Sequence, residues 1–131
     1  MADEKEINNQ IDQFVLDEID SVPHLEALLL LWAARPREWS PKTMAKALYV
    51  DADFAGRILK DLSHRNLAAG PSGTIEGYTY NSTEERDGLV RALDAVYRRE
   101  IVRISTLIHS KGSPAMREFA KAFRFTKDRG Q

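Results

Sequence analysis

Two helix starts only eleven residues apart constrain this chain more than anything else in it. Ser40-Pro41 joins a capping hydroxyl to a proline whose fixed φ and missing N–H suit a first helical turn. It opens a short helix, PKTMAKAL, with Met44, Ala45 and Leu48 as the inward residues. Asp51 caps a second helix running to about Arg65, with an inward stripe of Ala55, Ile58, Leu59 and Leu62. Its outward face is Asp53, Arg57, Lys60, Asp61 and His64. The two segments are expected to cross over a common apolar nucleus. Beyond them, Leu67 to Ala69 and Thr74 to Tyr80 flank GPSG, which reads as a turn, so a β-hairpin should follow.

Helices are expected on both flanks. In EINNQIDQFVLDEIDSV the residues Ile7, Ile11, Phe14, Val15 and Ile19 recur at three- and four-residue steps, giving an amphipathic helix from about Glu6 to Asp20. Ser21 is the expected cap of HLEALLLLWAA, about His24 to Ala34, which is apolar on nearly all sides and belongs in mid-core. It should stop before Arg35-Pro36, because a residue preceding proline is biased out of the helical region. After the hairpin, Ser82 and Glu85 form a capping box for a long helix to about Ser110. About 27 residues at 1.5 Å each would span roughly 40 Å, more than so small a core can cover.

The apolar positions of that helix do not keep a heptad, since continuing the Leu89–Leu93–Val96 seam brings in Glu100 and Arg103. Ordinary helix packing through Leu89, Leu93, Tyr97, Ile101, Ile104 and Ile108 fits better. These are the expected partner-binding residues of a homodimer, with packing inside the chain as the alternative. Ser113-Pro114 starts a short final helix that places Phe119 and Phe123 on one stripe, with Phe125 just beyond. They either fold back on the domain or anchor a partner. The expected fold class is mainly α with a small β-hairpin. Its divisions are an N-terminal helix in residues 1–23, a core in 24–80, and the long and short C-terminal helices in 81–131.

The order and spacing of residues 24–80 resemble the winged helix-turn-helix fold, and more narrowly MarR-like and related bacterial regulators. The resemblance is carried by Met44-Ala45, Leu48, Val50, Ala55, Leu59, Leu62 and Leu67, with Gly70 to Tyr80 as the wing. It implies a cytoplasmic, bacterial, dimeric DNA-binding protein in transcriptional control, whose second helix of the pair enters the major groove. Carried over to this chain, the groove-facing positions are Ala52, Asp53, Gly56, Arg57 and Lys60. Arg57 suits guanine and Lys60 a phosphate. Lys42, Lys46 and His64, with Arg35, Arg37 and Arg65, are further candidates for the backbone.

Two features oppose DNA. Asp53 would be repelled by phosphates and rewarded only by cytosine amino groups, and GPSGTIEGYTYN contains no lysine or arginine to serve as a basic wing tip. The competing reading is a non-catalytic protein-interaction module that keeps the fold, using the mixed-charge helix face and, if exposed, Tyr78 and Tyr80. For those tyrosines core cover is the commoner role.

Composition limits the remaining classes. Net charge is −1, yet residues 1–21 hold one lysine against seven acids, while residues 81–131 hold eleven basic residues against seven acids. Any basic footprint must therefore be local. No cysteine is present, which excludes disulfides and thiolate metal sites and fits a reducing cytoplasm. The start MADEKEINNQ does not read as a secretory signal, and the longest apolar run, Ala27 to Ala34, is too short to span a bilayer. His24, His64 and His109 lack metal-ligand spacing, and no phosphate loop or nucleophile motif occurs, so no metal, cofactor or catalysis is expected. His24, near a helix start, is expected at the surface or its boundary. Gly56 is read as a site of close backbone approach or as neutral.

Overall fold

The computed structural model describes residues 4–112. In chain order they form α1 (Glu4–Glu18), α2 (Val22–Ala34), α3 (Pro41–Leu48), α4 (Ala52–His64), β1 (Ala68–Ser72), β2 (Gly77–Tyr80), α5 (Glu84–Arg99) and α6 (Ile101–His109), closed by a 3₁₀ turn at Ser110–Gly112. Phe119 and Phe123 lie outside the described residues. Contacts divide the chain into two units. One is Val22–Val90; the other joins the described residues up to Ser21 with those from Arg91 onward.

The Val22–Val90 unit is built around α2. Leu25, Ala27, Leu28 and Leu31 are wholly buried, as a helix apolar on nearly all sides requires, and α2 touches α3, α4 and β2. Local capping explains where α3 and α4 begin. The Ser40 hydroxyl accepts from the Thr43 N–H at 3.1 Å, and the Ser40 N–H donates back to Thr43 Oγ1 at 2.9 Å. This reciprocal box satisfies two amide donors that a helix start leaves without partners. Tyr49 ends α3 in the left-handed region at φ 60°. Two residues later the Asp51 carboxylate accepts from the Phe54 N–H at 2.7 Å and starts α4. The helices then cross tightly, with Met44 and Ala45 from one and Ala55, Ile58, Leu59 and Leu62 from the other all buried. Complete burial of one such aliphatic side chain contributes about 1.5–3 kcal/mol. Leu48, expected inward, is half-buried at the end of its helix.

The hairpin exists, but its turn is not GPSG. Gly70, Pro71 and Ser72 belong to β1, and the reversal lies at residues 73–76, closed by the Glu76 N–H on the Gly73 carbonyl at 3.3 Å. Pairing runs Ala68 to Tyr80 and Ala69 to Thr79, slips, and resumes at Ser72 to Gly77. Proline has no N–H to give a ladder, so Gly70-Pro71 is accommodated as the irregularity instead of the turn. A side chain at Gly70, where φ is +135°, would place its Cβ 2.5 Å from the Gly77 carbonyl oxygen. Trp39 adds a third partner to the ribbon by exchanging backbone hydrogen bonds with Tyr78, both 2.8 Å. Tyr78 and Tyr80 are buried, so they cover the core.

The C-terminal helix is not one rod. It breaks at Glu100 (φ −130°, ψ 48°), giving α5 of 16 residues and α6 of nine. An unbroken helix would carry Glu100 on the apolar seam beside Val96. At the break Glu100 instead accepts from Arg103 Nε at 2.8 Å, and Arg103 also reaches both carboxylate oxygens of Asp12 on α1 at 3.0 Å. The guanidinium is held charged by Glu100 and Asp12, which outweigh its partial burial. Nor is Ser82 with Glu85 the cap of α5. Thr83 Oγ1 accepts from the Arg86 N–H at 3.1 Å, while Ser82 donates to Asp87.

In the second unit α1 packs on α6, and Ile11, Val15, Ile19, Ile104 and Ile108 are buried. Lys111 donates through its ammonium to the Ile19 carbonyl.

Gly56 faces Pro41, and a Cβ there would meet that ring at 3.6 Å, an ordinary contact. Glycine is about 1 kcal/mol worse than alanine inside a helix. Gly56→Ala should therefore stabilise the protein by about 0.5–1 kcal/mol, read as a higher denaturation midpoint at unchanged m value; a lower midpoint would contradict the packing described.

Candidate nucleic-acid interface

Because Ala55, Ile58, Leu59 and Leu62 are drawn inward, the opposite side of α4 is set by helical geometry. Asp53, Arg57, Lys60 and His64 are all exposed and recur at four-, three- and four-residue steps along one stripe. The stripe begins acidic and continues basic. Three residues separate α4 from α3, whose Lys42 and Lys46 are also exposed. All six residues expected at a DNA surface are thus solvent-facing on the helix-turn-helix pair. Arg57 sits with its guanidinium carbon 5.6 Å from the Phe54 ring centroid, a spacing suited to cation–π attraction.

Asp61 differs from its neighbours. It is half-buried, and its carboxylate lies 2.9 Å from His24 Nε2 on α2. His24 is itself buried, more so than the surface or boundary position expected of it. The pair links the central helix to the outward-facing one, so Asp61 is engaged with the domain and opposes an incoming phosphate less than Asp53 does. Sequence spacing gave no hint of it, because the partners are 37 residues apart.

Two more features escaped the sequence reading. Tyr49, at the turn between α3 and α4, is 95% exposed. Its place in the short connection between the starts at Ser40 and Asp51 was the available signal; in the fold it adopts the left-handed region, uncommon for a non-glycine residue. Ile75 is 54% exposed in the hairpin turn, beside Glu76. The wing tip is therefore apolar and acidic.

The wing root is tied to α5 by side chains. Tyr80 donates to Asp87 at 2.8 Å, Ser82 donates to the same carboxylate at 2.6 Å, and Arg86 donates to the carbonyls of Asn66 and Asn81. Burial and then the Asp87 hydrogen bond push the Tyr80 phenol well above its ordinary range. The Ser82 hydroxyl, followed by Tyr80, holds Asp87 below its ordinary value of 3.8.

The expected partner-binding residues divide differently. Leu93, Ile104 and Ile108 are buried within the chain and Tyr97 nearly so, whereas Leu89 is half-buried and Ile101 is 52% exposed. The first four therefore serve this chain's own core. Among the described residues of the terminal unit, Ile101, Val102 and Ile7 are exposed apolar side chains.

Among solved structures, the chain is similar to MepR, a transcription regulator of the Staphylococcus aureus multidrug efflux pump MepA. Identity is 19%, with 96% of this chain and 90% of that chain covered at a TM-score of 0.51. It is also similar to RV1404 from Mycobacterium tuberculosis, at 23% identity and a TM-score of 0.51 over 95% of this chain and 83% of that one. The chain has a winged-helix fold. No protein-family model matches the sequence, and no curated protein does. Among the described residues no helix is long and apolar enough to cross a membrane.

Asp87 yields a pH prediction. A carboxyl whose pKa is lowered on folding contributes stability that is complete above its unfolded value and is lost as pH falls through the folded one. Acid unfolding of the protein should therefore steepen below about pH 3.8, and Asp87→Asn should flatten that part of the curve. Identical acid limbs for the two proteins would show that this carboxylate is not held by Ser82 and Tyr80.

Proposed function

We propose that the chain is a non-catalytic, DNA-binding transcriptional regulator that acts as a dimer and lays α4 in the major groove. The reading rests on one observation: the exposed stripe Asp53, Arg57, Lys60 and His64 on a helix whose other side is locked into the core. Lys42 and Lys46 supply phosphate contacts from α3, Lys60 and His64 from α4, and Arg57 reads a base. The similarity to MepR, a transcription regulator, supports the same use of the fold.

Affinity for DNA rises with the number of phosphates neutralised, because released counterions drive association. One subunit offers few basic contacts, partly offset by Asp53, and a second subunit doubles them. Dimerisation through Leu89, Ile101 and the exposed Ile7 and Val102, with Phe119 and Phe123 as further anchors, would supply that second set. The setting is a bacterial cytoplasm.

A second reading, protein recognition, is favoured by a specific observation. Tyr49 and Ile75 are exposed on a domain whose wing has no basic residue, and exposed aromatic and apolar side chains suit protein contacts better than phosphates.

Fluorescence anisotropy titration against genomic fragments, repeated across salt concentrations, separates the two. A regulator should give a site bound at about 10⁻⁸ M or tighter with a steep salt dependence. Replacing both Arg57 and Lys60 with alanine should weaken binding at least about tenfold and reduce the salt slope. Weak binding without sequence preference, seen only at low salt, would favour protein recognition.

A further inference from the structure

Asp53 and Arg57 stand four residues apart on an exposed helix face, with the acid nearer the N-terminus. That is the favourable arrangement for an ion pair within a helix. None forms. Arg57 lies over Phe54, and no hydrogen bond or ion pair engages the Asp53 carboxylate among the described residues. The capping role at this helix start is filled by Asp51, through the Phe54 N–H at 2.7 Å. Asp53 is thus an open acceptor pointing outward from the first turn, beside an arginine held away from it.

We propose that Asp53 is a specificity-determining residue that selects cytosine, working next to Arg57, which selects guanine. The inference rests on the DNA-binding reading above and names what that surface recognises. An ionised carboxylate offers acceptors only, so it needs a donor on the base edge. In the major groove the donors are the amino groups of cytosine and adenine. Adenine presents the N7 acceptor beside its amino group, which repels a carboxylate; cytosine presents its amino group without one. Thymine and guanine offer acceptors at the corresponding edge and are rejected. Asp53 therefore weakens general attraction to phosphate while sharpening the choice of base. Four residues rise about 6 Å along a helix, and stacked base pairs are about 3.4 Å apart. The selected cytosine and guanine accordingly fall within about two base-pair steps of each other.

The test is selection from a pool of randomised duplexes with the full chain, for the natural sequence, Asp53→Asn and Arg57→Ala. The natural protein should enrich a cytosine within about two steps of a guanine. Asp53→Asn should lose the cytosine preference at that one position and accept adenine there, the base that an asparagine amide matches, while keeping the guanine. Arg57→Ala should lose the guanine. In direct titration of the natural protein, changing that cytosine to thymine should weaken binding about tenfold, a measurement that needs no variant to fold. Identical base preferences in the natural protein and Asp53→Asn, with the variant merely binding all duplexes more tightly, would overturn the assignment and leave Asp53 as a first-turn charge. Absence of any base preference in the natural protein would overturn the DNA-binding reading itself, and the cytosine assignment with it.

Discussion

Met44 and Ala45 of α3 and Ala55, Ile58 and Leu59 of α4 form one buried nucleus, and the face that α4 presents follows from the rotation this nucleus imposes. The helix cannot turn about its axis without exposing its apolar stripe to water. Two side-chain caps and a left-handed tyrosine keep the connection between the helices short. His24 adds a polar fixture to the apolar one by engaging Asp61 on the flank of α4. Nucleus and fixture together decide which charged residues reach a partner and which remain with the domain.

The exposed stripe contains an internal tension. Its basic residues favour phosphate, while Asp53 at its start opposes it. That opposition need not be a defect in a sequence reader. Phosphate contacts hold a protein on any duplex, and base contacts choose among duplexes. A carboxylate subtracts from the first term and adds to the second wherever cytosine is present. The wing tip at Ile75 and Glu76 is likewise apolar and acidic, and offers no cation to a phosphate. On the proposed DNA-binding reading, affinity would then come from a second subunit and from base recognition.

The terminal unit shows how a charge inside an apolar pattern changes the architecture. Glu100 and Arg103 interrupt the seam that starts at Leu89, and the helix breaks where they occur. Arg103 then joins Asp12, 91 residues away, to the same small network. The break lets Ile104 and Ile108 enter the core formed with α1, so much of the stripe that looked available to a partner is already covered. Among the described residues of this unit, Ile101, Val102 and Ile7 stay exposed, a smaller surface than the stripe suggested.

Local chemistry was legible in the sequence: the starts at Ser40 and Asp51, the inward stripe of α4, the amphipathic α1, and the failure of a heptad at Glu100 and Arg103. These depend on residues within one or two turns, where hydrogen-bonding reach and helical period leave few options. Other features depended on distant partners. The wing reversal moved past GPSG because Gly70 and Pro71 could be absorbed as an irregularity against β2. His24 lies inside with Asp61 of another helix as its partner, and the expected rod is two helices, with Arg103 just past the break engaging Asp12 of α1. Hydrogen-bond and charge partners remote in sequence carry no local signature, and only the folded arrangement brings them within reach.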